Sequence, residues 1–348
     1  MTPSRSQSTV EAYRRRVEQL RRQAARSLGY PDSRSVPPVE LVEYLVGRKE
    51  ASRFWQETAQ DWSAGKQARQ QPSQTLARAT WRQYKGALRF VLEEDRAIAT
   101  EGVVVEELDV AIRRIQPESQ SGCLKRSVRT SAAKLKAMPA ADFEAIKAYL
   151  ASQVGRQRHA NVLFKWLQAD RLVGLRPSEW MRAGLIEVDG LPALRVVNAK
   201  GTNGRANGVH RTLLLDRLAP VEVKCIGDLL SMLAEMGKEP GYDFQQHLNQ
   251  LRVYMHAVTR RCLGTRQRYP SLYSGRHQFV ADAKAGQRSH GEIAALVGHS
   301  SDATAATHYG RTAKGDAKNI KVSALPSEIA TVQNRCMASP HPSQRANR

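Results

Sequence analysis

The stretch LIEVDGLPALRVV at residues 185–197 predicts a β-hairpin. Apolar runs flank Asp189-Gly190, a dipeptide that favours a tight turn between antiparallel strands. A loop with several glycines follows, and residues 209–215 return as a third strand-like run. Elsewhere apolar residues recur at spacings of three and four, the period of a helix that buries one face. The sequence therefore predicts a mainly α fold with a small, three-stranded antiparallel sheet, of class α+β.

Helical periodicity fills both flanks of this hairpin. On the N-terminal side, helices are predicted at residues 8–28, 39–47 and 75–95. From about residue 138 the pattern becomes more regular, and Phe143, Ile146 and Leu150 mark one face of a further helix. A stripe from Leu248 to Cys262 has successive spacings of 3, 4, 3 and 4 residues, which predicts a helix packed against the core.

The chain of 348 residues is long enough for two domains. Residues 119–141 are rich in basic and small polar side chains and contain no acidic residue. We therefore expect a helical DNA-binding domain at 1–125 with a basic N-terminal helix, a basic linker at 126–137, a second domain at 138–320 and a tail at 321–348.

The charge of the chain predicts a polyanionic partner. Lys and Arg number 54 against 33 Asp and Glu, which gives a net charge of +21. Nucleic acid is the first candidate for such a partner, and an anionic membrane surface is the second. For several of these basic side chains a merely solvated surface is an equally simple interpretation. The residues predicted to contact DNA are Arg14, Arg15, Arg82, Lys85, Lys125, Arg126, Arg129 and Arg205.

Other classes of protein find less support in the sequence. No apolar run approaches the roughly 20 residues that a membrane-spanning helix needs, and the N-terminal residues lack an apolar signal core. We therefore expect a cytoplasmic protein associated with the nucleoid. The four cysteines are far apart and form no CxxC pair, which predicts reduced thiols and neither a zinc site nor a disulfide framework.

A first candidate site lies in GLRPSEW at residues 174–180. Arg176 follows a glycine turn and precedes Pro177, a residue that suits the first turn of a helix. An arginine on such a corner can bind a phosphate with two donors, and Glu179 can orient the guanidinium. Taken alone, this motif is better explained as a structural Arg–Glu pair.

The loop AKGTNGR at residues 199–205 supplies a second candidate. Lys200 lies at the predicted tip of a hairpin whose glycines allow close approach to DNA, and a lysine there can protonate a leaving oxygen. Arg205 is the alternative cation for this role. Hairpin tips are commonly basic for solubility alone.

A third group of candidates follows in a fixed order. Arg276 begins a predicted helix, His299 follows in LVGHSS at 296–301, and Tyr309 lies ten residues further on. A single histidine or tyrosine is usually structural. The combination with two arginines and a lysine predicts metal-free chemistry at a phosphodiester.

Residues 138–312 resemble the catalytic domain of the tyrosine recombinases, the phage-integrase family. The resemblance is carried by GLRPSE at 174–179, by LVGHSS at 296–301, by His308-Tyr309, and by the separation of 100 residues between Arg176 and Arg276. It implies a two-domain architecture with a helical core-binding domain. It also implies a site-specific recombinase whose catalytic residues are Arg176, Lys200, Arg276, His299 and the nucleophile Tyr309.

The chain departs from the family pattern at two places. The family usually has a histidine three residues before the second arginine, where this sequence has Tyr273. A phenol donates a hydrogen bond but, with a pKa of about 10, is a poor base at neutral pH. Tyr273 is thus expected to donate to a phosphate oxygen, and it ranks below Tyr309 as a nucleophile. The interval from His299 to Tyr309 is also one residue longer than the commonest form.

The resemblance implies a mechanism and a set of partners. Tyr309 attacks the scissile phosphorus to give a 3′-phosphotyrosyl bond, the arginines stabilise the added negative charge, Lys200 protonates the 5′ oxygen, and His299 assists deprotonation of Tyr309. No metal or cofactor is expected. The partners would be a double-stranded recombination site, a homo-tetramer on paired sites and an accessory DNA-bending or directionality protein.

Two alternatives remain open from the sequence. Residues 292–300 also resemble the start of a helix-turn-helix, with 304–309 as its recognition helix, which would suit a non-enzymatic regulator. A type IB topoisomerase shares the chemistry and would relax supercoiled DNA without a partner site. Within the recombinases, the extra basic helix and Tyr273 favour an enzyme of a mobile element over chromosome-dimer resolution.

Overall fold

The computed structural model describes residue 5 and residues 7–60, 75–124, 134–199, 206–303 and 312–334, with the backbone alone at 54–60. Helices dominate, and a small antiparallel sheet accompanies them, so the predicted α+β class is confirmed. The chain divides into two compact units, Thr2–Arg129 and Thr130–Arg348. None of the helices in the described residues is both long and apolar enough to cross a membrane.

The first unit is helical. Its helices are α1 (Gln7–Leu28), α2 (Pro38–Gln60), α3 (Arg78–Ile98) and α4 (Gly102–Ile115). Helix α3 buries Trp81, Tyr84, Leu88, Val91 and Leu92, which recur at spacings of three and four and so line one face. That face packs against α1 and α4. Helix α4 is an element that the sequence interpretation missed.

The second unit begins with α5 (Ala140–Gln153) and α6 (Ala160–Val173) and continues through a 3-10 helix (Pro177–Arg182) into the sheet. After the sheet follow α7 (Pro220–Gly237), α8 (Phe244–Leu263), α9 (Ser274–Ala285) and α10 (His290–Leu296). The short 3-10 helices Thr312–Lys314 and Ala317–Asn319 precede a last helix, α11 (Pro326–Ala330). The core of this unit surrounds Trp166, Trp180 and Phe279.

The sheet has the strand order β1-β2-β3-β4 and is antiparallel throughout. Its strands are β1 (Ala183–Val188), β2 (Leu191–Val197), β3 (His210–Leu214) and β4 (Ser323–Ala324). The prediction of three strands was therefore one strand short. Strand β4 has only two residues and comes from the distant C-terminal segment, so no local periodicity indicates it.

The turn between α6 and the 3-10 helix places the first candidate motif. Helix α6 ends at Gly174, whose φ of 60° is left-handed, and a Cβ there would overlap the ring of Phe279. Pro177 then begins the 3-10 helix with Arg176 as its N-cap residue. Sequence and structure thus agree that Arg176 lies on a tight corner.

Candidate active site

Glu179 lies at the centre of the site and is fully buried. Its Oε1 accepts hydrogen bonds from Arg176 Nη1 at 2.6 Å and from Ala199 N at 3.2 Å. Its Oε2 accepts from Arg176 N at 2.8 Å and from Arg211 Nη2 at 2.7 Å. Arg276 Nη1 lies 3.7 Å from the same Oε2. The two arginines singled out from the sequence therefore converge on one carboxylate.

Arg276 lies in the first turn of α9, and its side chain has no exposed surface. Its Nη1 donates to Gly174 O at 2.8 Å and its Nη2 donates to Val297 O at 2.6 Å. Gly174 and Val297 are the C-cap residues that directly follow α6 and α10, and carbonyls at helix ends need donors from outside the helix. In this conformation Arg276 holds two helix ends together, and its direct contact with a phosphate stays a prediction.

Arg211 is a third arginine of this cluster, and the sequence interpretation missed it. It is 1% exposed on β3, and its Nε donates to Leu296 O at 2.9 Å while its Nη1 donates to Asn198 Oδ1 at 2.5 Å. Arg211 is paired in register with Val196, whose side chain is buried. Since paired residues point to the same face of a sheet, the strand register is the one property that could have indicated an inward-facing arginine.

We call Arg176, Arg211, Arg276 and Glu179 the arginine cluster. Burial alone would raise the pKa of the Glu179 carboxyl, but attraction to Arg211, Arg276 and Arg176 brings that pKa far below its usual value. Glu179 is therefore ionised at neutral pH. Three guanidinium groups against one carboxylate leave the four side chains with a net charge of +2.

Asp170 does not offset this charge in full. It is completely buried beside the arginine cluster, and burial raises the pKa of its carboxyl well above the usual value despite the nearby Arg276. Burial thus favours the protonated form of Asp170. Its neighbour Gly275 is required by packing, because a Cβ at that position would overlap the Asp170 carboxyl.

A cavity of about 710 Å³ lies beside the cluster, and we call it the basic cleft. Its charged and titratable lining residues are Lys134, Lys136, Arg176, Arg252, Tyr273 and His277. Arg176 is the member of the arginine cluster that lines it, with a side chain 6% exposed. The cleft thus connects the buried positive charge with solvent, and it contains the predicted Tyr273.

His277 also lines the basic cleft, and the sequence had indicated no role for it. Its ring contacts that of Tyr273 edge-on, with centroids 5.2 Å apart and planes at 70°. Burial, with the nearby Lys136 and Arg276, lowers the pKa of His277 to about 4. The imidazole is therefore neutral at physiological pH, and a neutral imidazole has one ring nitrogen that can accept a hydrogen bond.

His299 lies next to the arginine cluster through its backbone. It follows Gly298, and His299 N donates to Ala294 O at 2.8 Å. The preceding carbonyls of Leu296 and Val297 accept from Arg211 and Arg276. His299 is 5% exposed, and it is not among the described residues that line the basic cleft.

Comparisons with known proteins leave the family unassigned. No protein-family model matches the chain, and no curated protein matches it. Among solved structures, it is similar to the XerH site-specific recombinase bound to its difH substrate in a pre-cleavage complex. That similarity has a TM-score of 0.39 and 10% sequence identity, and it covers 79% of this chain and 94% of the recombinase chain. Neither the identity nor the TM-score is high enough to assign a family.

Several predicted residues lie outside the described part of the chain. They are Lys125, Arg126, Arg129, Lys200, Arg205 and Tyr309. Their roles stay predictions, as does the helix-turn-helix alternative, since its recognition helix at 304–309 also falls outside. Within the described residues, no group of three or more His, Cys, Asp or Glu side chains is arranged to hold a metal ion.

The other residues predicted to contact DNA lie in the first unit. Arg15 and Arg82 are exposed on α1 and α3. Arg14 is exposed too, and its Nη2 donates to Glu94 Oε1 at 3.0 Å. Lys85 Nζ donates to the carbonyls of Gln116 and Glu118 at 2.8 and 2.6 Å, contacts that fix the end of α4 and compete with any contact to DNA.

Proposed function

We propose that this protein cuts and rejoins DNA by transesterification at a phosphodiester, as a site-specific recombinase of the tyrosine type. The arginine cluster carries the proposal, because it holds a net charge of +2 in the protein interior and reaches the basic cleft through Arg176. A buried excess of positive charge beside a cavity stabilises an anion, and a phosphodiester becomes more negative as a fifth oxygen bonds to phosphorus.

The reaction balances without a metal or an external energy source. The phenolic oxygen of Tyr309 forms a bond to the scissile phosphorus while the bond from phosphorus to the 5′ oxygen breaks. His299 assists removal of the Tyr309 proton, and Lys200 gives a proton to the departing oxygen. The product is a 3′-phosphotyrosyl link with a free 5′-hydroxyl. Attack by the 5′-hydroxyl of another duplex reverses the step and exchanges strands.

The lining of the basic cleft supports separate roles for the described residues. Arg176 lines the cleft, and its guanidinium is suited to bind the phosphate directly. Arg276 is fully buried and adds its positive charge from the protein interior, with Nη1 3.7 Å from Glu179 Oε2. Tyr273 lines the same cleft and would donate a hydrogen bond to a phosphate oxygen. Glu179 orients Arg176 through both its backbone and its side chain.

The proposed partner is a double-stranded recombination site bound by four copies of the chain, with an accessory DNA-bending or directionality protein. The net charge of +21 supports contact with many phosphates. We propose integration, excision or resolution for a mobile element as the biological role. We also propose that residues 327–332, in the tail, dock on a neighbouring copy; the simpler interpretation is a helix packed on its own domain.

A pair of tyrosine variants tests the reaction. Covalent protein–DNA adducts would be trapped in cells expressing the chain, the DNA ends mapped, and a nicked suicide duplex built on the site recovered. We expect wild type to form a 3′-phosphotyrosyl adduct and Tyr309→Phe to form none while binding the duplex normally. Tyr273→Phe, the matched control, should form the adduct at a reduced rate.

Each other outcome changes the assignment. An adduct that persists in Tyr309→Phe and is lost in Tyr273→Phe would transfer the nucleophile to Tyr273. Absence of any adduct with wild type, combined with sequence-specific binding, would favour the regulator. Relaxation of plasmids that lack the recovered site would favour a topoisomerase.

A further inference from the structure

Arg211 makes three hydrogen bonds in and around the arginine cluster but does not line the basic cleft. Its guanidinium bonds to the Glu179 carboxylate, to the Asn198 amide and to the Leu296 carbonyl, and the side chain is 1% exposed. Arg211 is not among the described residues that line the cleft. The position of Arg211 therefore does not support direct contact with substrate.

The contacts of Glu179 indicate what Arg211 supplies. A buried carboxylate in contact with one phosphate-binding arginine neutralises that arginine, and the pair then attracts an anion weakly. Here the two carboxylate oxygens of Glu179 serve different arginines: Oε1 accepts from Arg176 Nη1 at 2.6 Å and Oε2 accepts from Arg211 Nη2 at 2.7 Å. Arg276 Nη1 lies 3.7 Å from Oε2. The negative charge of Glu179 is therefore shared, and the charge of Arg176 is not cancelled.

We propose that Arg211 is a positioning residue that neutralises Glu179, so that Glu179 can orient Arg176 without cancelling the positive charge that Arg176 presents to a phosphate. This inference rests on the proposed function only in taking a phosphoryl group as the ligand. It assigns the orientation of Arg176 to Glu179 and the balance of charge to Arg211.

Variants that change the net charge of the arginine cluster should differ in their affinity for an anion. The wild-type cluster has a net charge of +2. Arg211→Met lowers it by one, and Arg211→Lys, with a side chain of similar length, keeps it. Adding Glu179→Gln to Arg211→Met removes the carboxylate and restores the wild-type charge, although it also removes a second member of the hydrogen-bond network.

Binding of inorganic tungstate, a tetrahedral phosphate mimic, to the full chain measures the effect at constant ionic strength and below the melting temperature of every variant. A chain of this charge also binds anions elsewhere on its surface. Binding at the arginine cluster is therefore taken as the part of the wild-type tungstate binding that Arg176→Met loses. We expect Arg211→Met to weaken binding at this site at least tenfold. Arg211→Lys should stay within about threefold of wild type, and Arg211→Met with Glu179→Gln should recover most of the loss.

A purely structural Arg211 gives a different order. Removing Glu179 as well would then weaken binding further, and Arg211→Lys would be as defective as Arg211→Met, since lysine cannot make the three-way contact. Either result overturns the inference, and so does equal tungstate binding by wild type and Arg176→Met. If the folded Arg211→Met variant is inaccessible, Arg211→Lys against Arg211→Gln repeats the comparison of charge.

The proposed function can fail without this inference failing. Tungstate binding that follows the charge of the cluster, in a chain that forms no adduct with DNA, would keep the role of Arg211 and reject the recombinase. An adduct through Tyr309 together with unchanged tungstate binding in Arg211→Met would keep the recombinase and reject the role of Arg211.

Discussion

A single buried carboxylate organises the residues that the sequence scatters over a hundred positions. Glu179 has four hydrogen-bond donors within 3.2 Å from three segments of the chain. Well-packed apolar side chains often stabilise a fold as much as a buried ion pair does, whereas removal of one charged partner is strongly unfavourable. A network of this kind is therefore better understood as a means of placing charge than as a source of stability.

Gly298 is the residue whose substitution should damage this network most directly. Its φ is 64°, and a Cβ there would overlap the Asn198 amide oxygen and lie 3.0 Å from Arg211 Nη1. We expect Gly298→Ala to lower the free energy of unfolding by about 2–5 kcal/mol, as the sum of backbone strain and overpacking. Urea denaturation measures this change.

Gly190→Ala is the matched control for Gly298→Ala. Gly190 also has a left-handed φ, of 78°, but a Cβ there would meet no atom within 4 Å. Gly190→Ala should lower the free energy of unfolding by the backbone strain alone, about 1–2 kcal/mol. Equal losses in the two variants would mean that the close approach of Gly298 to Asn198 and Arg211 is not important for stability.

His277 should make the stability of the chain depend on pH. Its pKa is lowered to about 4 in the folded protein, chiefly by burial, against about 6.5 in an unfolded chain. Between these values the unfolded state binds more protons, so stability is lost as pH falls from 6.5 towards 4. We expect the melting temperature of His277→Gln to fall less over this interval than that of wild type, and parallel curves would contradict the assignment.

At the scale of elements, periodic stripes could be predicted and short or distant elements could not. The β1–β2 hairpin was predicted because its turn is local, and α8 because its stripe is long. Helix α7 buries Ile226, Leu229 and Leu233 at spacings of three and four, so its pattern was present in the sequence but went unused. Strand β4 depends on pairing with β3, more than a hundred residues away in the sequence, which no local pattern specifies.

The same limit applies to the candidate site. The order of Arg176, Arg276 and His299 was visible, and their convergence is a property of the turns at Gly174 and Gly298. Arg211 belongs to the arginine cluster because its face of β3 points inwards, which depends on the strand register. The burial of Arg276 follows from two helix ends that meet, which spacing along the chain does not reveal.

The C-terminal segment packs on its own unit in this structure. Glu328 accepts a bond from Thr212 N at 3.0 Å, Gln333 N donates to Ser300 O at 2.9 Å, and Val332 is 6% exposed. We expect Val332→Asp to lower the stability of the dilute, monomeric chain by about 3 kcal/mol or more, because a charge would be buried without a partner. Thermal melting at several protein concentrations tests this.

Ser327→Asp, on the exposed first turn of α11, is the control and should melt like wild type or slightly higher, since a negative charge suits a helix N-terminus. If Val332→Asp also melts like wild type but no longer assembles on DNA, the segment serves a neighbouring copy instead. That result would favour the docking role proposed for residues 327–332.

For the whole molecule, the excess of positive charge predicts binding to DNA that weakens as salt is added. Each phosphate contact contributes a slope of about −0.9 to the dependence of log K on log salt. Exposure alone does not identify the residues that make these contacts. A basic side chain already paired with a carboxylate gains less from a phosphate, because it must first give up its partner.

Two neighbouring arginines on α1 allow this difference to be measured. Both are exposed, but Arg14 donates to Glu94 Oε1 at 3.0 Å, and an exposed ion pair of this kind contributes at most about 1 kcal/mol. We expect Arg15→Ala to reduce the magnitude of the salt slope by about 0.9 on a duplex of random sequence, and Arg14→Ala to reduce it by less. Glu94→Gln should bring the effect of Arg14→Ala up to that of Arg15→Ala, because it frees the Arg14 guanidinium for DNA. If neither arginine changes the slope, α1 does not contact the DNA backbone, and the contacts must come from other basic residues of the chain.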